Sequence, residues 1–292
     1  MEKFINYCLE HGKWSVSTDR VRSVLTELIK NLSFETIDFI VEKSKAIGAR
    51  YTESKSGIFA PAFKEVRFPL RSDSAMIAFH EIGHMVDFIG IDKQKQIEHS
   101  KRDILANGKT LHKTVYDEVK TASYKIYEIV NSAFEKEVLA RLDDHVKDCY
   151  MQYRYLKLLE NDTYVKYKLV KSKNPDEAKR LFEEYQAMVR QSSSMKEFKK
   201  VFDGVNKSAE YIQFRNKYSA LIDTAFSYLN KRGYYGGHTF SYMEKGGYGA
   251  EFFAEMFCKE ALGDTEAQEL VRKYLPNSYS AYKELICKIK AT

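Results

Sequence analysis

At 292 residues the chain is long enough for one large or two modest domains, each with a substantial core. Its 44% hydrophobic and 30% charged residues, with only 14 glycines and 4 prolines, exclude collagen-like and disordered chains, and the Lys/Glu/Leu-rich tracts favour helices. The net charge of +6 comes from basic residues interleaved with acids, so neither a nucleic-acid surface nor a membrane surface is indicated.

In chain order, residues 1–48 read as a helical segment. "RVRSVLTELIKNL" and "SFETIDFIVEKSKAIG" place apolar residues at helical spacing, and Gly48 suits a C-terminal stop. The texture then changes: "ARYTESKSGIFAPAFKEVRFPLR" sets Gly, Pro and Ser around short β-rich runs, of which "KEVRFPL", residues 64–70, is the best strand candidate. The helix "AMIAFHEIGHMVDFIGI" follows, with Ser72 or Asp73 as N-cap and Gly90 near its end. Residues 49–91 thus form a small sheet plus one helix. Residues 92–232 are charged, Tyr-rich and helical, with a break at "SKNPDEA". From 233 to 292 come a Gly-rich loop, the helix "AEFFAEMFCKEALGD" and a last helical stretch interrupted at Pro276. The expected fold class is mainly α (α+β) with a small sheet.

Cys8, Cys149, Cys258 and Cys287 are scattered without a CxxC pair and read as free thiols in a reducing compartment. The first residues lack a basic region followed by an apolar core, and no apolar run approaches the ~20 residues of a membrane span. The expectation is a soluble protein, cytoplasmic where it is made.

The chemistry concentrates in the HEIGH segment. On a helical wheel at ~100° per residue, His80, His84, Asp87 and Glu81 fall on one wedge, opposite Ala78, Phe79, Ile82, Met85, Val86 and Ile89. A polar stripe on a buried helix needs compensation by hydrogen bonds, ion pairs or a metal. Imidazoles at i and i+4 meet at one point, as zinc coordination from a helix requires, and Glu81 between them is placed to take a proton from water. The competing reading is a pair of core histidines satisfied by backbone carbonyls. His11, His99, His112 and His145 sit singly in charged tracts and read as surface residues. A third ligand is better sought in "AEFFAEMF", where Glu251 and Glu255 share a face of an apolar helix. Glu251 would ligate the ion, and Glu255 would hydrogen-bond a ligand histidine, a part Asp87 could also play. The bland reading leaves Glu251 on a solvated edge.

HEIGHMVD followed far downstream by AEFFAEMF resembles the metal-binding core of gluzincin metallopeptidases, in particular the anthrax lethal factor-like peptidases and the HExxH peptidases encoded in bacteriophage genomes. The resemblance covers roughly residues 50–91 and 220–262. It implies a zincin-like core, Zn2+ held by His80, His84 and Glu251, and Glu81 as general base and acid in hydrolysis of a protein or peptide substrate. It also implies a tyrosine upstream of the ligand glutamate that steadies the oxyanion. Tyr242 and Tyr248 are the candidates, with Tyr242 preferred for its Ser-Tyr setting although it stands nine residues before Glu251, farther than in the family. His238 is either a second oxyanion donor or a loop-packing histidine. The 167 residues between His84 and Glu251 imply a helical insertion between the two motifs. In zincins an edge strand before the HExxH helix aligns an extended substrate, and residues 64–70 are the candidate here. The alternative is a binding protein with a zincin-like core and a structural metal, for instance a phage virion component or toxin-like effector with a host-protein partner.

Overall fold

The computed structural model describes residues 1–89, 108–230, 238 and 242–291, without the side chains of 89 and 108–110. Gly90, His99 and the Ile89 side chain therefore lie outside the described residues. The protein is mainly α with a small four-stranded sheet. It divides into two compact units, the first made of residues 1–118 and 244–292, the second of residues 119–243.

The first unit opens with α1 (Glu2–His11), followed directly by strand β1 (Gly12–Lys13), α2 (Thr18–Ile29) and α3 (Phe34–Ile47). The Ser17 and Ser33 side chains accept from Arg20 N–H and Thr36 N–H, capping α2 and α3. Gly48 ends α3 at φ +66, a left-handed conformation natural to glycine, with its N–H directed at the Lys45 and Ser44 carbonyls. β1 corrects the all-helical reading of residues 1–48. Gly12 and Lys13 lie parallel to Tyr51 and Thr52 of β2 (Arg50–Glu53), so this segment belongs to the sheet as well as to the helical layer.

β3 (Ile58–Ala60) and β4 (Glu65–Phe68) complete the sheet in the order β1-β2-β4-β3. β4 is parallel to β2 and antiparallel to β3. The strand candidate at 64–70 is thus an interior strand, hydrogen-bonded on both sides, and cannot align a substrate by its edge. Among the described residues, the edge strands of the sheet are β1 and β3.

Tyr51, Val66, Phe68 and Phe59 bury the sheet's apolar side chains. Tyr51 meets Phe4 edge to face at 5.5 Å, and Phe59 meets Phe88 of α4 (Ala75–Ile89) at 5.7 Å. Tyr7 donates to the Ser44 and Ala49 carbonyls at 3.0 and 2.8 Å, tying α1 to the end of α3. Helix α4 begins one to two residues later than the capping pattern suggested. Its first bond runs from Ala78 N–H to the Ser74 carbonyl, which puts Ser74 at the cap position in place of Ser72 or Asp73.

Helix α5 (Gly108–Glu137) contributes its first residues to the first unit and the remainder to the second. The second unit adds α6 (Asp144–Val170), α7 (Pro175–Ser194), α8 (Lys196–Val205) and α9 (Ala209–Leu221), the last running into a π-helical turn over Ile222–Phe226. Its core is aromatic: Phe134 packs on Phe214 at 5.3 Å and on Tyr150 at 5.7 Å, with the Arg154 guanidinium 4.7 Å over its ring. The first unit closes with α10 (Tyr248–Ala261), α11 (Thr265–Tyr274) and α12 (Pro276–Ala291). All four cysteines are free thiols, and only Cys287 is exposed. Among the described residues, no helix is long and apolar enough to cross a membrane.

Candidate metal centre

The site is built where α4 packs on α10, and the sequence sets that packing through two small residues. A Cβ built on Gly83 would lie 2.7 Å from Ala254 Cα and 2.9 Å from the Ala254 carbonyl oxygen, so the two backbones touch at this crossing. The flanking apolar residues lock the pair: Phe79, Ile82, Met85 and Val86 of α4 and Phe252, Phe253, Met256 and Phe257 of α10 are all buried. Before α10 the chain breaks at Gly246, whose φ of +119 favours glycine and redirects the backbone into the second helix.

The close approach brings His80 and His84 from α4 to Glu251 from α10. The two Nε2 atoms are 3.1 Å apart, and Glu251 Oε2 lies 3.2 Å from His80 Nε2 and 3.5 Å from His84 Nε2. These three residues can hold a metal ion. Bond lengths of ~2.0–2.2 Å in a tetrahedral zinc site place neighbouring ligand atoms roughly 3.3–3.5 Å apart, so the observed triangle fits a small divalent cation. The donor set, two imidazole nitrogens and one carboxylate oxygen, leaves a fourth position for water. Without a cation, two acceptor-capable nitrogens and a carboxylate would crowd one buried point.

Around the triangle, Glu255 Oε1 is 3.0 Å from His80 Nδ1, which fixes the imidazole with Nε2 facing the other ligands. Lys259, fully buried one turn further along α10, lies 3.8 Å from Glu255 Oε2. It balances a group of acids that would otherwise be buried together. The lysine was not singled out in the sequence, because a Lys in "FCKEA" reads as solvated. Asp87 is fully buried on α4 one turn beyond His84. Glu81 is 8% exposed and, among the described residues, engaged by no hydrogen bond or ion pair. A Cβ on Gly57 would sit 2.5 Å from Glu81 Oε1, so the chain entering β3 passes directly against this carboxylate. Cys258, also on α10, is not one of the three: its thiol donates to the Met76 carbonyl at 3.4 Å, and burial pushes it up to about 12.

Burial alone would hold His80 low, but hydrogen bonds to Glu251 and Glu255, and then their charges, outweigh it and raise the imidazole well above 6.5. A raised folded-state pKa stabilises the metal-free protein fully below the unfolded value of ~6.5, and that contribution is lost as pH rises through the folded value. A metal displaces the same proton, so its binding strengthens as pH rises. Titrating zinc into metal-free protein near pH 7 should therefore release close to one proton, read as the dependence of binding heat on buffer ionisation enthalpy. A slope of zero would mean that His80 is already neutral.

Tyr248 stands one turn before Glu251 on α10, fully buried, its ring 5.6 Å from Tyr116 and 5.8 Å from His112. A sealed hydroxyl is a packing element and cannot reach a substrate. His112 is correspondingly half-buried, not the surface residue its charged tract suggested, whereas His11 and His145 are exposed. Tyr242 and His238 belong to the second unit, their rings 5.0 Å apart, with Tyr242 42% exposed and the His238 N–H donating to Ser227 Oγ at 2.9 Å. No family model, curated protein or solved structure matches the chain.

Proposed function

We propose that the protein is a zinc-dependent endopeptidase. The observation that supports this reading is the convergence of His80, His84 and Glu251 beside an unengaged carboxylate, Glu81. Zinc held by the three ligands would polarise a peptide carbonyl and lower the pKa of water towards ~7. Glu81 takes the proton from that water as oxygen adds to the carbonyl carbon, then returns it to the amide nitrogen as the C–N bond breaks. Glu255 keeps His80 oriented, with the Lys259 ammonium 3.8 Å from its other oxygen.

The substrate would bind as an extended strand on β3, at the edge of the sheet among the described residues, where Ile58 is half exposed. Because Gly57 abuts Glu81, a peptide paired there runs past the general base. The proposed aligning strand is therefore β3 instead of residues 64–70.

The burial of His84, Glu251 and Glu255, all under 9% exposed, also suits a structural metal in a binding protein. Metal analysis and a peptide-library digest separate the two. The expected result is about one zinc per chain, cleavage abolished by a chelator and restored by zinc, and neither metal nor cleavage in His80→Ala. Zinc retained with no hydrolysis of any peptide, its removal only lowering the melting temperature, would leave the structural role.

A further inference from the structure

The helical unit, residues 119–243, carries a second polar site with no part in the proposed hydrolysis. Helix α6 places Lys157, Glu160, Asn161 and Tyr164 along one face, at helical spacings of three and four. With Tyr185 of α7 and Phe202 of α8 they line a cavity of about 380 Å³. The walls are aromatic: the Tyr164 and Tyr185 rings are 5.1 Å apart, and Phe202 is held in place by stacking on Tyr150 at 5.2 Å.

Glu160 is the most deeply buried lining residue, 4% exposed. Its Oε2 takes the ammonium of Lys157, while its Oε1 is buried with no hydrogen-bond partner among the described residues. Asn161 spends its amide on the Asn230 carbonyl at 3.2 Å, which leaves its Oδ1 as a further acceptor. A buried carboxylate oxygen lacking a donor is destabilising, and aromatic faces attract positive charge. An apolar ligand would satisfy only the walls, and an anion would be repelled by the carboxylate. An organic cation satisfies both. Lys157 shows what the carboxylate accepts, and its side chain, 38% exposed on a flexible stem, can swing its ammonium into water when another cation enters.

We propose that this cavity binds the cationic end of an alkylammonium or guanidinium ligand, with Glu160 as counter-charge and Tyr164, Tyr185 and Phe202 as the aromatic wall. Such a group reaches the site as a Lys or Arg side chain of a protein or as a free polyamine. The test is calorimetric titration of the full chain with Nα-acetyl-lysine amide, Nα-acetyl-arginine amide and spermidine, with uncharged Nα-acetyl-norleucine amide as control. Saturable binding is expected for the cations, with Kd on the order of 1 mM or tighter, and not for the control. Glu160→Gln, which preserves shape, should weaken it about tenfold, and Tyr185→Leu should weaken it independently of any change at the carboxylate. Lys157→Ala should tighten it, because the internal competitor is gone. Spermidine binding at least about ten times tighter than the amino-acid amides identifies a polyamine site, and comparable affinities identify a side-chain site. His80→Ala should leave all of these values unchanged, so failure of the peptidase reading does not touch this one. No saturation by any cation at about 10 mM, or equal affinity in Glu160→Gln, would overturn it.

Discussion

Glu81→Gln should keep about one zinc per chain and lower peptide hydrolysis by about 10²–10⁴-fold, the usual contribution of a positioned general base. The substitution preserves shape and removes only the ability to accept a proton. Glu81 is not one of the three residues that converge on the ion, and no neighbour among the described residues engages its carboxylate. Folding, metal content and substrate binding should therefore be unaffected while turnover collapses. Loss of zinc in this variant would show that position 81 supports the ligands, and undiminished hydrolysis would show that another group moves the proton. Gly57→Ala offers a milder version. Its new Cβ displaces the carboxylate of Glu81, so turnover should fall while zinc stays bound.

Gly83→Ala tests the helix crossing, and two effects of opposite sign compete there. Intrinsic helix propensity favours alanine by ~1 kcal/mol. Against it, the new methyl would stand 2.7 Å from Ala254 Cα, a backbone atom that cannot swing aside. Overpacking of this kind costs ~1–3 kcal/mol, and more when a helix must shift bodily. Packing should win: the melting temperature should drop by several degrees and zinc affinity by about tenfold or more, because Glu251 rides on the helix that is pushed away. A variant more stable than the parent, with unchanged zinc affinity, would mean that the helices do not meet at these two residues.

How much of this was legible in the chain differs by residue. His80 and His84 announced themselves because a four-residue interval fixes their direction on any helix, and Glu251 and Glu255 did so by the same rule within an apolar run. The mainly helical class with a small sheet followed from composition and punctuation. Strand order did not. "KEVRFPL" alternates the same way in an interior strand as at an edge, and the two residues of β1, Gly12 and Lys13, have no strand propensity, so only pairing with Tyr51 and Thr52 defines them. Gly57 and Gly83 matter through what lies opposite them, which is a tertiary fact. Lys259 looked solvated because burial of a lysine is decided by the charges around it, here Glu255. Tyr242 was preferred to Tyr248 only for its Ser-Tyr setting; that the Tyr248 ring is enclosed by His112 and Tyr116 is a tertiary fact.

The order of the chain has a consequence for biosynthesis. The imidazoles at 80 and 84 leave the ribosome long before the carboxylate at 251, with the whole of residues 119–243 translated in between. Closing that long interval adds little thermodynamic penalty, since loop entropy grows only with the logarithm of length. It does impose a schedule: the nascent polypeptide carries two of the three candidate ligands throughout the synthesis of residues 119–243. Coordination by all three side chains therefore waits until the second unit has been translated.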